Sequence, residues 1–268
     1  MHAVWNAVLK RAEDKKAAMV GISGFTGLLF LPLVPLAPLP PPDLWPWLLA
    51  SFSIHLIYQL ALTKALEMGA LTFIYPIARG MGPTLVAIFS YLFLEGEMSL
   101  IEVGAVIILA IGIFISTSTG KATTGGTARE NGFFFALLTG AMIASYTIVD
   151  GLAVRVAPEP LTYIIWSSLA FAPIFLTYSV LHHGPQILKA AGKGWRTSMT
   201  AGIIAQGGYA IALYAYSIGS LGEVAAIRET SILFALLIGA WWLKEPISRR
   251  RWLAVPLIAF GAILLKLV

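Results

Sequence analysis

Two arginines stand where charge is least expected. Arg79 lies in Tyr75-Pro-Ile-Ala-Arg-Gly-Met-Gly-Pro83, which leads into an apolar run from Thr84 to Leu94 and ends at Glu95-Gly-Glu97. Arg228 lies in Ala225-Ala-Ile-Arg-Glu-Thr-Ser231, ahead of the apolar run Ile232 to Leu243 and Lys244-Glu-Pro246. Arg79 precedes Glu97 by 18 positions and Arg228 precedes Glu245 by 17. A charge inside an apolar helix is costly and is by default a functional hypothesis. The chemistry on offer is anion recognition, since a planar guanidinium fork matches a planar carboxylate. The structural alternative is that an arginine ties down carbonyls freed by Pro76 and Pro83, or pairs with Glu223 or Glu229. Pro76, Gly80, Gly82 and Pro83 are expected to break the helix around Arg79. A broken helix at matching positions of two halves points to a transporter's binding site.

A second set combines aromatic and polar groups. His55, Tyr58 and Gln59 recur at helical spacing within Trp45–Leu66 and share roughly one face. Gln206 and Tyr209 offer the counterpart in Thr197–Ile218. Such a stripe would not face lipid, so an amphipathic cavity between the halves is expected, with helix–helix hydrogen bonding as the alternative. Tyr75 lies one turn before Arg79 and should point the same way. Tyr163 and Trp166 are one turn apart in the span Leu161–His182, and Tyr146 precedes Asp150 by one turn in Asn131–Val156. Asp150 reads as a solvated carboxylate toward a helix end, with proton coupling the minor alternative. Lys64, near a helix end, should snorkel to water. Glu97 and Glu245 close repeat-related helices, whose C-termini prefer cations, so capping of the following helix or pairing with loop residues is expected.

The elements that position these groups follow from composition. Of 268 residues, 58% are hydrophobic and 12% charged, and the mean hydropathy is +0.84. No soluble domain of that size hides so much apolar surface, so the chain is a polytopic, all-helical membrane protein. The net charge of +5 comes from basic loops between spans, an orientation signal and not a nucleic-acid footprint. There is no cysteine, hence no disulfide, thiol chemistry or thiolate-bound metal. His182-His183 lies in a basic loop with no partner at ligand spacing, so no metal is expected. No phosphate-binding loop, zinc-protease motif or nucleophile pattern is present, so neither an enzyme nor a cofactor is expected. The N-terminus shows no cleavable signal.

Spans of about 20 residues are expected at Lys16–Ala37, Trp45–Leu66, Ala70–Leu94, Leu100–Thr119, Asn131–Val156, Leu161–His182, Thr197–Ile218, Gly222–Leu243 and Trp252–Val268. His2 to Leu9 reads as the last half of a further span that has lost its beginning, which would make ten. Residues 121–130, a Gly/Thr-rich stretch within the flexible loop Gly120–Glu130, divide a first repeat, 1–120, from a second, 131–268. Tyr58-Gln-Leu-Ala-Leu62 matches Tyr209-Ala-Ile-Ala-Leu213, and Gly104 to Gly112 matches Trp252 to Gly261. Five spans per half force opposite orientations, which makes an inverted repeat. Thirteen of the 18 Lys and Arg fall on one face and two, Arg155 and Lys266, on the other. Positive-inside places the thirteen in the cytoplasm and the C-terminus outside, in the cell inner membrane.

These features resemble the drug/metabolite transporter superfamily in its EamA-type branch. The resemblance rests on Ala7-Val-Leu-Lys10, Ala65-Leu-Glu-Met-Gly69 with Tyr75-Pro76, Gly96-Glu97 and Trp242-Leu-Lys-Glu245, and it spans both halves. The aromatic lining and intramembrane arginines are similar to those of YddG-type aromatic amino-acid exporters. The resemblance implies ten helices around a central cavity and export of small metabolites. The expected function is therefore secondary export of aromatic or hydrophobic amino acids, or related amphipathic metabolites, by alternating access. An arginine would hold the carboxylate, and Tyr, Trp and His the side chain. Nucleotide-sugar, nucleoside or lipid-linked substrates of the same superfamily are the alternative, with an intramembrane enzyme the lesser one. The expected partners are the substrate and the lipid bilayer, with no nucleic acid, and the chain is expected to work as a monomer.

Overall fold

A computed structural model describes residues 1–93, 99–117, 126–219, 224, 228 and 231–264. Among them the regular structure is helical: α1 His2–Arg11, α2 Lys15–Phe30, α3 Trp45–Met68, α4 Leu71–Phe93, α5 Leu100–Thr117, α6 Gly126–Val156, α7 Pro160–His183, α8 Gln186–Lys193, α9 Trp195–Ile218, α10 Ser231–Trp241 and α11 Arg249–Leu264. Among the described residues, four segments are long and apolar enough to cross a membrane: Lys15–Leu36, Pro42–Met68, Asn131–Val156 and Pro160–His183.

Local chemistry sets the boundaries. Asp14 caps α2, its Oδ1 accepting from the Ala17 amide at 2.9 Å, which satisfies one of the donors a helix start leaves open. Pro32 and Pro35 lack amide protons, and the chain tightens into a 3-10 turn over Leu31–Leu36. The expected span from Lys16 to Ala37 is thus completed by a turn and not by α-helix. Pro160 opens α7, and Gly184 at φ +75° ends it. Helix α6 begins at Gly126, inside the stretch expected as a loop, while Gly120 to Gly125 lies outside the described residues. Helix α8 was not expected from the sequence. Its Ile187 and Ala191 are buried while Lys189 and Lys193 are exposed, which makes it a short amphipathic helix in what reads as a basic loop.

The chain forms two compact units, one of residues 1–59 and 149–219, the other of residues 60–148 and 220–268. In the first, α2 is the central helix, packed by α7, α8 and α9. Small residues let these backbones approach. A side chain on Gly202 would meet the Ile22 carbonyl at 3.0 Å and Phe25 Cβ at 3.2 Å, and one on Gly27 would collide with Ala172. Such contacts suit membrane helices, for which lipid supplies no hydrophobic drive to associate and close packing takes its place.

In the second unit α5 and α11 form the closest pair, and α4 packs against α5 and α10. Gly112 lies against Ile258 and the Ala254 carbonyl, and Gly261 lies against Leu109 and the Ala105 carbonyl. Contrary to expectation, α4 runs unbroken from Leu71 to Phe93. In lipid a closed helix keeps its remaining amides paired. Thr84 Oγ1 donates back to the Gly80 carbonyl at 3.0 Å, the ordinary i−4 bond of a threonine within a helix. The small residues along α4 and α6 permit close packing. A side chain on Gly82 would stand 3.2 Å from Ile143, and one on Gly140 would stand 2.8 Å from the Ala78 carbonyl.

Candidate functional site

The expected site residues fall into two groups, one in each compact unit. In the unit containing residues 60–148, Arg79 is buried at 3% exposure. Its Nη2 donates to the backbone carbonyl of Arg228 at 3.0 Å. Arg228 is half-buried. Its own Nη2 donates to Tyr146 Oη at 3.3 Å, and its guanidinium carbon lies 5.9 Å from the centre of the Tyr146 ring. Tyr75, one turn before Arg79, donates its hydroxyl to Ser231 Oγ at 3.0 Å. Tyr75 and Arg79 therefore both reach the segment 228–231, in keeping with their spacing on α4. The two guanidiniums play different parts. Arg79 holds the main-chain carbonyl of Arg228, which is not one of the carbonyls that Pro76 or Pro83 frees, while Arg228 is the more exposed cation and rests on an aromatic face. The rest of the segment around Arg228, including Glu223 and Glu229, lies outside the described residues, as do Glu95 and Glu97.

Glu245 does something the sequence did not suggest. Its Oε1 accepts from the Leu71 amide at 2.7 Å and its Oε2 from the Thr72 amide at 2.8 Å. It caps α4 and not the helix that follows it, so the expectation for this acid is corrected. The physical reason is the helix dipole: the open amides of an N-terminus are the best partners for a carboxylate. Lys244 at φ +53° turns the chain out of α10, and the Glu245 amide returns to the Gly239 carbonyl at 2.9 Å. A non-glycine residue in that region costs about 1–3 kcal/mol, offset here by two charge-assisted bonds.

In the other unit, three side chains from separate helices surround Asp150. Tyr163 of α7 donates to its Oδ1 at 2.8 Å, and Tyr209 of α9 donates to its Oδ2 at 2.8 Å. His55 of α3 brings Nε2 to 3.8 Å from Oδ2. Tyr58, Phe171 and Tyr209 stand edge-on to the His55 ring, with centroids 6.2, 5.9 and 5.4 Å away. Asp150 is 1% exposed, which overturns the expectation of a solvated carboxylate. α6 continues to Val156, so Asp150 is not at a helix end, and Arg155 beyond it donates to the carbonyls of Tyr216 and Gly219 at 3.0 and 2.7 Å.

The remaining expected residues serve as ties between helices. Gln59 accepts from Ser23 Oγ at 2.7 Å, and Gln206 donates to Ser168 Oγ. Trp166 donates its indole N–H to the Pro38 carbonyl at 2.8 Å, which ties α7 to the proline-rich connection before α3. For the two glutamines the helix–helix alternative describes what they do. Ser231 was not singled out, and Asp150 was weighed for proton coupling but not as the acceptor of two tyrosines. The one available signal for Asp150 was the pair of intramembrane tyrosines, since a buried phenol needs an acceptor.

Among curated proteins none matches this chain by sequence. A solved crystal structure described only as "Crystal structure of protein" shares the fold, with a TM-score of 0.69 and 17% identity over 99% of this chain and 94% of that one. Residues 130–267 match the model of the EamA-like transporter family. The match starts near the beginning of α6, covers just over half of the chain, and includes Asp150, Tyr163, Tyr209, Arg228 and Glu245. The chain belongs to the EamA-like transporter family, and is thus a multi-pass membrane protein with a transport function.

Proposed function

We propose that this protein exports aromatic or hydrophobic amino acids, or closely related amphipathic metabolites, across the inner membrane by alternating access. The observation that carries this reading is the cationic centre of Arg79, Arg228 and Tyr146. Arg79 ties down the backbone at Arg228, and the Arg228 guanidinium lies over Tyr146. A guanidinium so placed suits a carboxylate, and the adjoining ring suits an apolar side chain. Arg228 is the substrate cation in this reading and Arg79 its support.

The reading includes ten helices in two inverted repeats, 1–120 and 131–268, with 121–130 between them, working as a monomer with the basic loops in the cytoplasm. The repeat is supported by reciprocity within the second unit. Gly112 meets residues three and seven positions before Gly261, and Gly261 meets residues three and seven positions before Gly112. Arg79 and Arg228, joined by a hydrogen bond, are separated by 149 positions, the same spacing that separates the two glycines.

The test is efflux of labelled phenylalanine from proteoliposomes. Saturable wild-type flux is expected, reduced about tenfold or more in Arg228→Ala, because a hydrogen bond to a charged group contributes about 1.5–3 kcal/mol. Arg228→Lys should recover part of it. Full saturable flux in folded Arg228→Ala would overturn the carboxylate role, and absence of phenylalanine flux in the wild type would overturn the substrate class.

A further inference from the structure

His55 and Asp150 share a constraint that hydrogen-bond chemistry settles. His55 Nδ1 lies 3.0 Å from the Ser51 carbonyl oxygen and 3.3 Å from Ser51 Oγ. A carbonyl oxygen only accepts, so Nδ1 carries the ring's proton. In a neutral imidazole the other nitrogen then presents a lone pair. That nitrogen, Nε2, faces Asp150 Oδ2 at 3.8 Å, so two acceptors oppose each other at a carboxylate that is 1% exposed. One added proton removes the conflict, making either an imidazolium beside a carboxylate or an imidazole beside a carboxylic acid. Both forms leave the pair neutral, whereas the unprotonated pair is a buried anion.

The surroundings fit a proton carrier. Tyr163 and Tyr209 donate to Asp150, so its ionised form has fixed partners and the proton can leave. His55, with its side chain 16% exposed, is the more accessible member and the route by which a proton reaches Asp150. Among the described residues, the titratable groups facing the pair are Tyr58 on α3, Tyr163 on α7 and Tyr209 on α9. Arg155 on α6 is turned to backbone carbonyls, and His2 on α1 lies against Gly208.

We infer that His55 and Asp150 form a proton-binding site that couples the export of substrate to the entry of one proton. Uptake makes one N–H or O–H bond at the pair, release on the other side of the membrane breaks it, and no electrons are exchanged. The inference rests on the transport function and not on the substrate class proposed above.

Two experiments test it. Purified protein in lipid nanodiscs is titrated across the pH range in which it stays folded, with infrared difference spectra recorded beside Asp150→Asn and His55→Gln. A single step in which carboxyl and imidazole bands change together is expected, and each variant should lose that joint step. Should Asp150→Asn fail to fold, His55→Gln makes the comparison. An ionised Asp150 with an unprotonated His55 throughout the wild-type titration would overturn the site. In the second experiment, proteoliposomes hold labelled phenylalanine and a trapped pH dye. Proton movement opposite to phenylalanine, lost in Asp150→Asn, supports coupling, while phenylalanine flux without proton movement overturns it. Absence of phenylalanine flux counts against the substrate reading alone, and the titration then decides the proton site.

Discussion

Gly112 on α5 and Gly261 on α11 each lie against the other's helix, Gly112 at Ile258 and Gly261 at Leu109. A side chain on Gly112 would stand 2.6 Å from Ile258 Cγ1 and 3.1 Å from the Ile258 amide nitrogen, and one on Gly261 would stand 3.1 Å from the Ala105 carbonyl. Backbone atoms cannot swing aside as a side-chain tip can, so the close pairing of α5 and α11 depends on both positions staying bare. Gly112→Ala and Gly261→Ala are each expected to destabilise the protein by about 1–3 kcal/mol. Gly104, on the same helix as Gly112, has nothing within 4 Å of an added Cβ. Gly104→Ala should be neutral, or more stable by up to about 1 kcal/mol through helix propensity. Thermal unfolding in detergent by circular dichroism checks all three, and equal melting temperatures would remove the packing argument.

Glu245 joins the end of α10 to the start of α4 through two amides 173 and 174 positions away in sequence. Glu245→Ala leaves both donors open and is expected to cost about 1–2 kcal/mol. Glu245→Gln, which keeps one acceptor and loses the charge, should cost less. Melting temperatures that rank wild type, Gln and Ala in that order confirm the cap. No loss in the Ala variant would show that water replaces it.

Tyr146 contributes a ring and a hydroxyl to Arg228. The 3.3 Å bond is long for a hydrogen bond, so Tyr146→Phe should weaken substrate affinity by only about two- to fivefold, equivalent to about 0.5–1 kcal/mol. Tyr146→Ala, which also removes the aromatic face, should weaken it further. The comparison is the half-saturation concentration for phenylalanine efflux in the two variants. Equal losses would place the contribution in the hydroxyl and not in the ring.

Lys64 and Glu67 make a 3.2 Å ion pair with side chains 43% and 28% exposed. A pair so open to water is screened, and Lys64→Ala is expected to shift stability by less than about 0.5 kcal/mol. A larger loss of melting temperature would mean that the lysine stem packs something the ion pair conceals.

Much of the helical plan was legible before any coordinates. The apolar runs are local signals, because the hydropathy of a segment is decided by its own residues. Arg79 and Arg228 were legible as charges within apolar stretches, but the hydrogen bond from Arg79 to the Arg228 carbonyl was not. Pro76, Gly80, Gly82 and Pro83 misled, since composition alone cannot tell a break from a helix thinned for close packing; the backbone runs unbroken from Leu71 to Phe93, with Ile143 of α6 close to Gly82.

Sequence by itself determined that this chain is a helical membrane protein with two arginines within apolar stretches, since burying so many apolar side chains admits no soluble alternative and hydropathy is a property of each segment alone. Tertiary structure alone decided what the polar groups do. Asp150 is a buried acceptor because phenols from α7 and α9 and an imidazole from α3 arrive there together. Gln59 and Gln206 join helices because serines stand opposite them. Glu245 caps α4 because its carboxylate reaches the helix's open amides. In a low-dielectric interior the state of a polar side chain is set by the partner within about 3 Å, and that partner comes from a part of the chain its own neighbours do not indicate.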